Sequence, residues 1–407
     1  MQNLLSKAKA LQPKLIELRR KLHANAETGF CLPKTKAILQ EELKRLGAKP
    51  QAVGESFSIT LSNGKSSRCI LLRADMDGLP IVEESGEPFS CTTGNMHACG
   101  HDLHATMLFG AYCLLKDELS LLNGKVKLLF QCAEERLEGA KRAIKDGVLL
   151  SPKVNKAAMI HVLTDTPMPT GMVIVAEGES APGADFFTIK IKGKASHGST
   201  PQNGIDGIMV ASFILQAIRQ LTATETSANA PVVLTVGKCV GGDASNVLAE
   251  NVTLEGTLRT FDEQTRSAFK KRLKSVVEET AKTFRARAKI VFTSGCPVLV
   301  NDKNLSLFAY ECLQEELTGK VFLSGSLDGA TKNKNGGSED FAYIAQEVPS
   351  VMLAVAAGES QKGFDMPLHN PKTRFDEDSL YIGAYAYAKL ALNYLKIKQK
   401  DNKREKV

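Results

Sequence analysis

The sequence predicts an α/β protein built on a mixed sheet and interrupted by an inserted α+β module. Three observations carry that prediction. Short apolar β-type runs alternate with helical runs through the first part of the chain. Past Glu179 the order changes to strand, helix, two strands, helix, strand, which is the pattern of a compact ferredoxin-like sandwich. After about Ser294 the alternating α/β text resumes. A chain of 407 residues is also longer than one core usually occupies, so two domains are expected.

Leu4 to Leu22 has helical apolar spacing, with Pro13 marking a kink or the true start of the regular helix. Strands are predicted at Phe57–Leu61 and Cys69–Arg73. The run Ile70-Leu71-Leu72 suits a strand buried on both faces. A helix from His101 to about Lys116, a strand Lys125–Gln131, a helix Gly139–Lys145 and a strand Ala157–Val162 follow. The small, turn-rich text at Glu179–Ala184 reads as a hinge. Beyond it come strand Phe186–Ile191, helix Ile208–Leu221, strands Val232–Val236 and Val252–Leu258, helix Glu263–Thr283 and strand Lys289–Thr293. A strand at Val351–Ala356 and a helix from Asp378 to about Leu395 close the chain. The expected domains are therefore 1–183 and 295–407 as two parts of one, with 184–294 inserted between them.

Lys+Arg 52 against Asp+Glu 45 gives a formal charge of +7. Much of the excess lies between Lys396 and Val407, a solvated helix end with no interleaved aromatics, so no nucleic-acid partner is expected. No apolar run approaches the roughly 20 residues of a membrane span. The first ten residues carry no apolar core or cleavage signal. Nine cysteines, an odd number without a Cys-x-x-Cys pair, suit a reducing compartment, so the expected location is the cytoplasm.

Three of the seven histidines fall in the eight residues from His97 to His104, beside Cys99 and Asp102. Imidazole and thiolate are preferred zinc-type ligands, and a Gly-containing turn entering a helix presents them together. Upstream, a buried strand ends in Asp75-Met76-Asp77 before a Gly-x-Pro turn. Downstream, another runs into Cys132-Ala133-Glu134-Glu135, whose adjacent carboxylates need a positive partner. One of the pair would bind a metal and the other act as general base. A third strand ends in His161, and His369 sits in the Pro-bounded loop Met366–Pro371. Strand ends of α/β sheets are where such residues assemble.

This text resembles the aminoacylase, hippuricase and auxin-conjugate hydrolase branch of the metallo-aminoacylase/carboxypeptidase family over nearly its whole length. The segments that carry the resemblance are Arg19 to His23, Arg73 to Pro80, His97 to His104 and Phe130 to Glu135. Gly193 to Gly198, Asn246-Val247, Gly256 to Thr260 and Gly337 to Phe341 complete it. Ala26, Cys132 and Ala249 stand where relatives usually have proline; none of these departures removes a ligand or the base.

The resemblance implies a di-metal hydrolase domain with an inserted lid and dimerisation domain. It implies Cys99, His101, Glu135, His161 and His369 as ligands of two divalent ions, Mn²⁺ or Zn²⁺ with Co²⁺ or Ni²⁺ as alternatives. It makes Glu134 the general base, His197 the group that stabilises the oxyanion, and Asn246 and Arg259 substrate contacts. Asp77 would orient a ligand. The implied substrate is an N-acyl amino acid, cleaved at its amide by a homodimer or dimer of dimers. The alternatives are a dipeptidase or carboxypeptidase using the same centre, and a non-catalytic metal-binding relative.

Overall fold

The computed structural model describes residues 3–227, 231–324 and 337–396. The basic run expected at the C-terminal end lies outside these residues beyond Lys396. Among the described residues no helix is long and apolar enough to cross a membrane. The chain divides into two compact units: Ala181–Leu299, with Gly337, Ser338 and Glu339, form one, and the remaining described residues form the other.

In the first unit, helices α1 (Leu4–Ala10), α2 (Gln12–His23) and α3 (Pro33–Arg45) precede strands β1 (Gln51–Val53), β2 (Ser56–Asn63) and β3 (Cys69–Asp75). Then come α4 (His101–Asp117), β4 (Gly124–Gln131), α5 (Gly139–Lys145), β5 (Lys156–Leu163) and β6 (Val173–Ala176). Short β7 (Gly178–Ala181) leads to the second unit, made of β8 (Gly183–Lys192), α6 (Gly207–Thr224), β9 (Val232–Gly241), β10 (Asn251–Thr260), α7 (Glu263–Thr283) and β11 (Arg287–Cys296). After β12 (Leu299–Asn301) the chain forms α8 (Lys303–Gln314), β13 (Val321–Ser324), a short helix Ala342–Glu347, β14 (Ser350–Ala356) and a closing helix Leu380–Lys396.

Pro13 lies in the first turn of α2 and separates it from α1, where the missing N–H costs no hydrogen bond. The run read as a hinge spans the end of β7 and the start of β8, and the boundary between the two units falls within it.

The first unit holds an eight-stranded mixed sheet in the order β1-β2-β4-β3-β5-β14-β6-β13. β3 sits between β4 and β5 and is parallel to both. All seven of its residues are buried, as suits the apolar run Ile70–Leu72, and the burial extends to Arg73 and Asp75. Because the chain leaves β3 for β4 on one side and β5 on the other, the carboxyl ends of these strands open onto a topological switch point. Helix α4 is buried from His101 to Leu115 and packs against α2, the closing helix and the sheet. In the second unit, an antiparallel sheet in the order β11-β8-β10-β9 carries α6 and α7 over a separate apolar core that includes Phe187, Ile214, Leu254 and Leu273.

Candidate metal centre

The candidate ligand side chains of the first unit, and the carboxylates beside them, gather at the switch point. β3 delivers Asp75 and Asp77, the turn after β4 delivers Glu134 and Glu135, and β5 carries His161. Cys99 and His101 come from the turn that starts α4. That turn depends on Gly100, which has φ +82°, and an added Cβ would lie 2.4 Å from Val162 Cγ2. Ala133 and His369 also adopt left-handed backbone, with φ of 59° and 65°. Such conformations cost about 1–3 kcal/mol each for residues with a Cβ and persist where packing enforces them. Here they aim the Glu134–Glu135 pair and the His369 ring. The His369 loop is also tied to the α4 turn by a hydrogen bond from the His369 amide to Ala98 O, 3.0 Å.

Ligand atoms of Cys99, His101 and His161 lie within 4.8 Å of one another, and so do those of Cys99, Glu135 and His369. The Cys99 sulfur belongs to both groups. It is 3.3 Å from His369 Nε2 and 3.7 Å from His161 Nε2. His369 Nε2 is also 3.5 Å from Glu135 Oε1. His161 Nδ1 donates to Val162 O at 2.7 Å, which fixes the tautomer and turns the Nε2 lone pair toward the sulfur. Asp77 accepts from the amides of Glu134 and Glu135, at 3.0 and 3.3 Å, and so holds the acidic turn itself. Glu134 Oε1 in turn accepts from the Asp340 amide at 3.3 Å.

The donor set suits a divalent cation. Among the described residues, neither ring nitrogen of His101 nor Glu135 Oε1 makes a hydrogen bond, although all three atoms are buried. Buried polar atoms without partners are costly, and an ion supplies the missing contacts. His101 Nε2 faces Glu134 and Glu135 at 3.9 Å each. Burial pushes the Glu135 carboxyl up to about 7, with Asp77 and Asp75 adding to the rise against His101. Ion binding must therefore displace a proton below that pH. Apparent affinity for a divalent ion is expected to rise about tenfold per pH unit for each proton displaced, with Glu135 contributing below about pH 7 and the Cys99 thiol, pushed up by burial, continuing the rise above it. Chelator-competition titrations across that range would check it; a flat affinity would contradict the site.

Beneath the ligands lies a buried network that the motifs did not single out. Arg73 donates to Asp75 at 2.6 Å, Gln131 at 3.0 Å and Asp340 at 2.7 Å. Asp340 further accepts from Gln131 and from the Ala140 amide. His104 Nε2 accepts from the Val162 amide at 2.9 Å, so its proton is on Nδ1, which donates to Asp75 at 2.6 Å. Burial pushes His104 down to about 4, so it remains neutral. An arginine directly after the apolar run Ile70–Leu72 was the available signal. Its partners at Gln131 and Asp340 are too remote in sequence to have been paired with it. Cys132 shows why proline is dispensable there, since its amide donates to Ser56 Oγ at 3.1 Å, a bond proline would forfeit.

The other expected site residues lie in the second unit. His197 is exposed, and its Nδ1 accepts from the Ser199 amide at 3.1 Å, leaving the proton of the neutral ring on Nε2. The His197 segment bridges Val247, and Gly198 N–H donates to Asn246 O at 2.7 Å, so His197 and Asn246 are neighbours. Arg259 lies on β10 with its guanidinium over the Phe186 ring, 5.4 Å from the centroid.

The model of peptidase family M20/M25/M40 matches residues 71–393 of this chain. Among curated relatives, the chain is 34% identical over 392 residues to the IAA-amino acid hydrolase ILR1-like 2 of Arabidopsis thaliana, covering 94% of this chain and 86% of the relative. It is 33% identical over 378 residues to an N-acetyl-L-cysteine deacetylase of Bacillus subtilis, covering 92% and 86%. It is 31% identical over 403 residues to thermostable carboxypeptidase 2 of Saccharolobus solfataricus, covering 97% and 98%. A solved Bacillus subtilis structure, described as a dinuclear metal binding peptidase from this family, superposes with a TM-score of 0.79 at 27% identity, covering 95% and 99%. The chain belongs to the M20/M25/M40 peptidase family. It is a metal-dependent amide hydrolase of the branch that the sequence motifs indicated.

Proposed function

We propose that this enzyme removes the acyl group from N-acyl amino acids, using two divalent ions held by Cys99, His101, Glu135, His161 and His369. The observation that carries the reading is the pair of donor triads sharing the Cys99 sulfur beside Glu134. When bound, the ions supply Lewis acidity for the attacking water and the scissile carbonyl. Glu134, pinned through Oε1, takes the proton of the water and passes it to the departing amine. His197 Nε2–H donates to the oxyanion. Asn246 and Arg259 bind the substrate carboxylate or carbonyl. Mn²⁺ or Zn²⁺ fits the mixed donor set, the thiolate leaning toward zinc, with Co²⁺ or Ni²⁺ as alternatives. The enzyme works in the cytoplasm, where its thiols stay reduced, as a homodimer joined through the inserted module.

Cleavage of dipeptides or C-terminal residues is the second reading, supported by the resemblance to the Saccharolobus solfataricus carboxypeptidase. A panel of N-acetyl and N-benzoyl amino acids set against dipeptides, scored by amine release, separates the two. Higher kcat/KM on acyl amino acids is expected; preference for dipeptides would replace the first reading with the second. Cys99→Ser is expected to lower metal content in both triads at once, because an alcohol replaces a thiolate poorly. Unchanged metal analysis in that variant would remove Cys99 from the ligand set.

A further inference from the structure

We infer that His23 is a positioning residue that links the Cys99–His101 turn to the His369 loop and thereby sets the span of the metal centre. This rests on the two-ion reading above. His23 lies at the end of α2 and is 2% exposed. Its Nδ1 is 2.8 Å from Asp102 Oδ2 and its Nε2 is 2.9 Å from Glu83 Oε1. A neutral imidazole has one N–H and cannot donate to two carboxylates, so the geometry calls for the imidazolium. Burial opposes that charge, but Asp102 and Glu83 outweigh it and raise the His23 pKa.

Each carboxylate is anchored to one side of the centre. Asp102 follows His101 in the first turn of α4 and is also held by Arg19 Nε at 2.8 Å. Glu83 Oε2 accepts from the Cys91 amide at 2.8 Å, which folds residues 83–91 into a closed loop. Phe89 of that loop packs edge-on against the His23 ring, with centroids 5.4 Å apart, and lies beneath the Arg19 guanidinium. The adjacent Glu84 amide then donates to Pro371 O at 2.8 Å, two residues beyond His369. A chain of short contacts thus runs from His101 through Asp102, His23 and the 83–91 loop to the His369 loop. It supplements the direct bond from the His369 amide to Ala98 O, and together the two ties fix both the separation and the tilt of the loop.

With His23 changed to glutamine, one buried carboxylate loses its cation, and a buried carboxylate without a counter-charge is driven from its site. Glu83 is the one released, because Asp102 keeps Arg19. The test is His23→Gln, with metal content and per-ion affinity measured by chelator competition, and with hydrogen exchange followed before and after chelation. The expected result is an affinity loss of about 10–100-fold for one ion, the size typical of outer contacts of a metal site. The second ion should be retained, and exchange should rise together in residues 83–91 and 367–373. A uniform rise in exchange with both affinities unchanged would make His23 merely structural and overturn the inference. Should His23→Gln fail to fold, Glu83→Gln provides the same comparison from the other end of the contact. If the wild-type enzyme binds no ions, the proposed function falls, whereas coupled exchange of the two loops still decides whether His23 joins them.

Discussion

Replacing Glu134 by glutamine is expected to leave the enzyme with its ions and lower kcat by about 10²–10⁴-fold, the usual contribution of a general base. The variant keeps an acceptor for the Asp340 amide that now bonds Oε1, so the turn after β4 should hold its shape. Asp77 reaches that turn through backbone amides and is untouched by the change. All five candidate ligands remain. What disappears is a carboxylate able to take a proton. Steady-state rates measured alongside metal analysis separate the two effects. Near-normal turnover with full metal content would remove Glu134 as the base, and loss of metal would instead make it a ligand.

The largest expected loss of stability comes from Arg73→Met. Arg73 is fully buried between Asp75 and Asp340, and its three nitrogens serve three different side chains. Removing one partner of a buried ion pair costs about 3–5 kcal/mol, because the remaining charge is stranded away from water. Two carboxylates would be stranded here, although His104 and the Ala140 amide still support one each. Arg73→Lys is expected to recover only part of the loss, since an ammonium cannot span the fork that guanidinium fills. Denaturant unfolding with both variants would test this; a loss below about 1 kcal/mol in Arg73→Met would show that the network is dispensable for stability.

Periodicity made the strongly patterned elements legible. Helices Gly139–Lys145 and Glu263–Thr283 have the boundaries their spacing predicts, and α4 extends only one residue beyond expectation. Helix α3 and helix α8 were missed. In α3 only Thr35, Leu39 and Leu43 are buried, a thin stripe in a charged segment that periodicity does not bring out. Strands β6 and β13 are four residues each, too short for a period to register. The ligand-type residues could be read because each sits at a strand end, in a Gly-containing turn or, for His369, in a Pro-bounded loop. Their second tier could not. Arg73 and Asp340 are 267 positions apart, and His23 and Glu83 are 60. Such pairs exist only once the sheet order brings the segments together.

The most direct test of the two-ion hydrolase is stepwise reconstitution. Enzyme stripped with a chelator is titrated with Zn²⁺, Mn²⁺, Co²⁺ or Ni²⁺ in separate series, with hydrolysis of an N-acyl amino acid and bound metal followed in the same samples. The account predicts no activity in stripped enzyme and recovery that completes as the second equivalent binds. Full activity in the stripped enzyme, or bound metal that restores none with any ion, would contradict it.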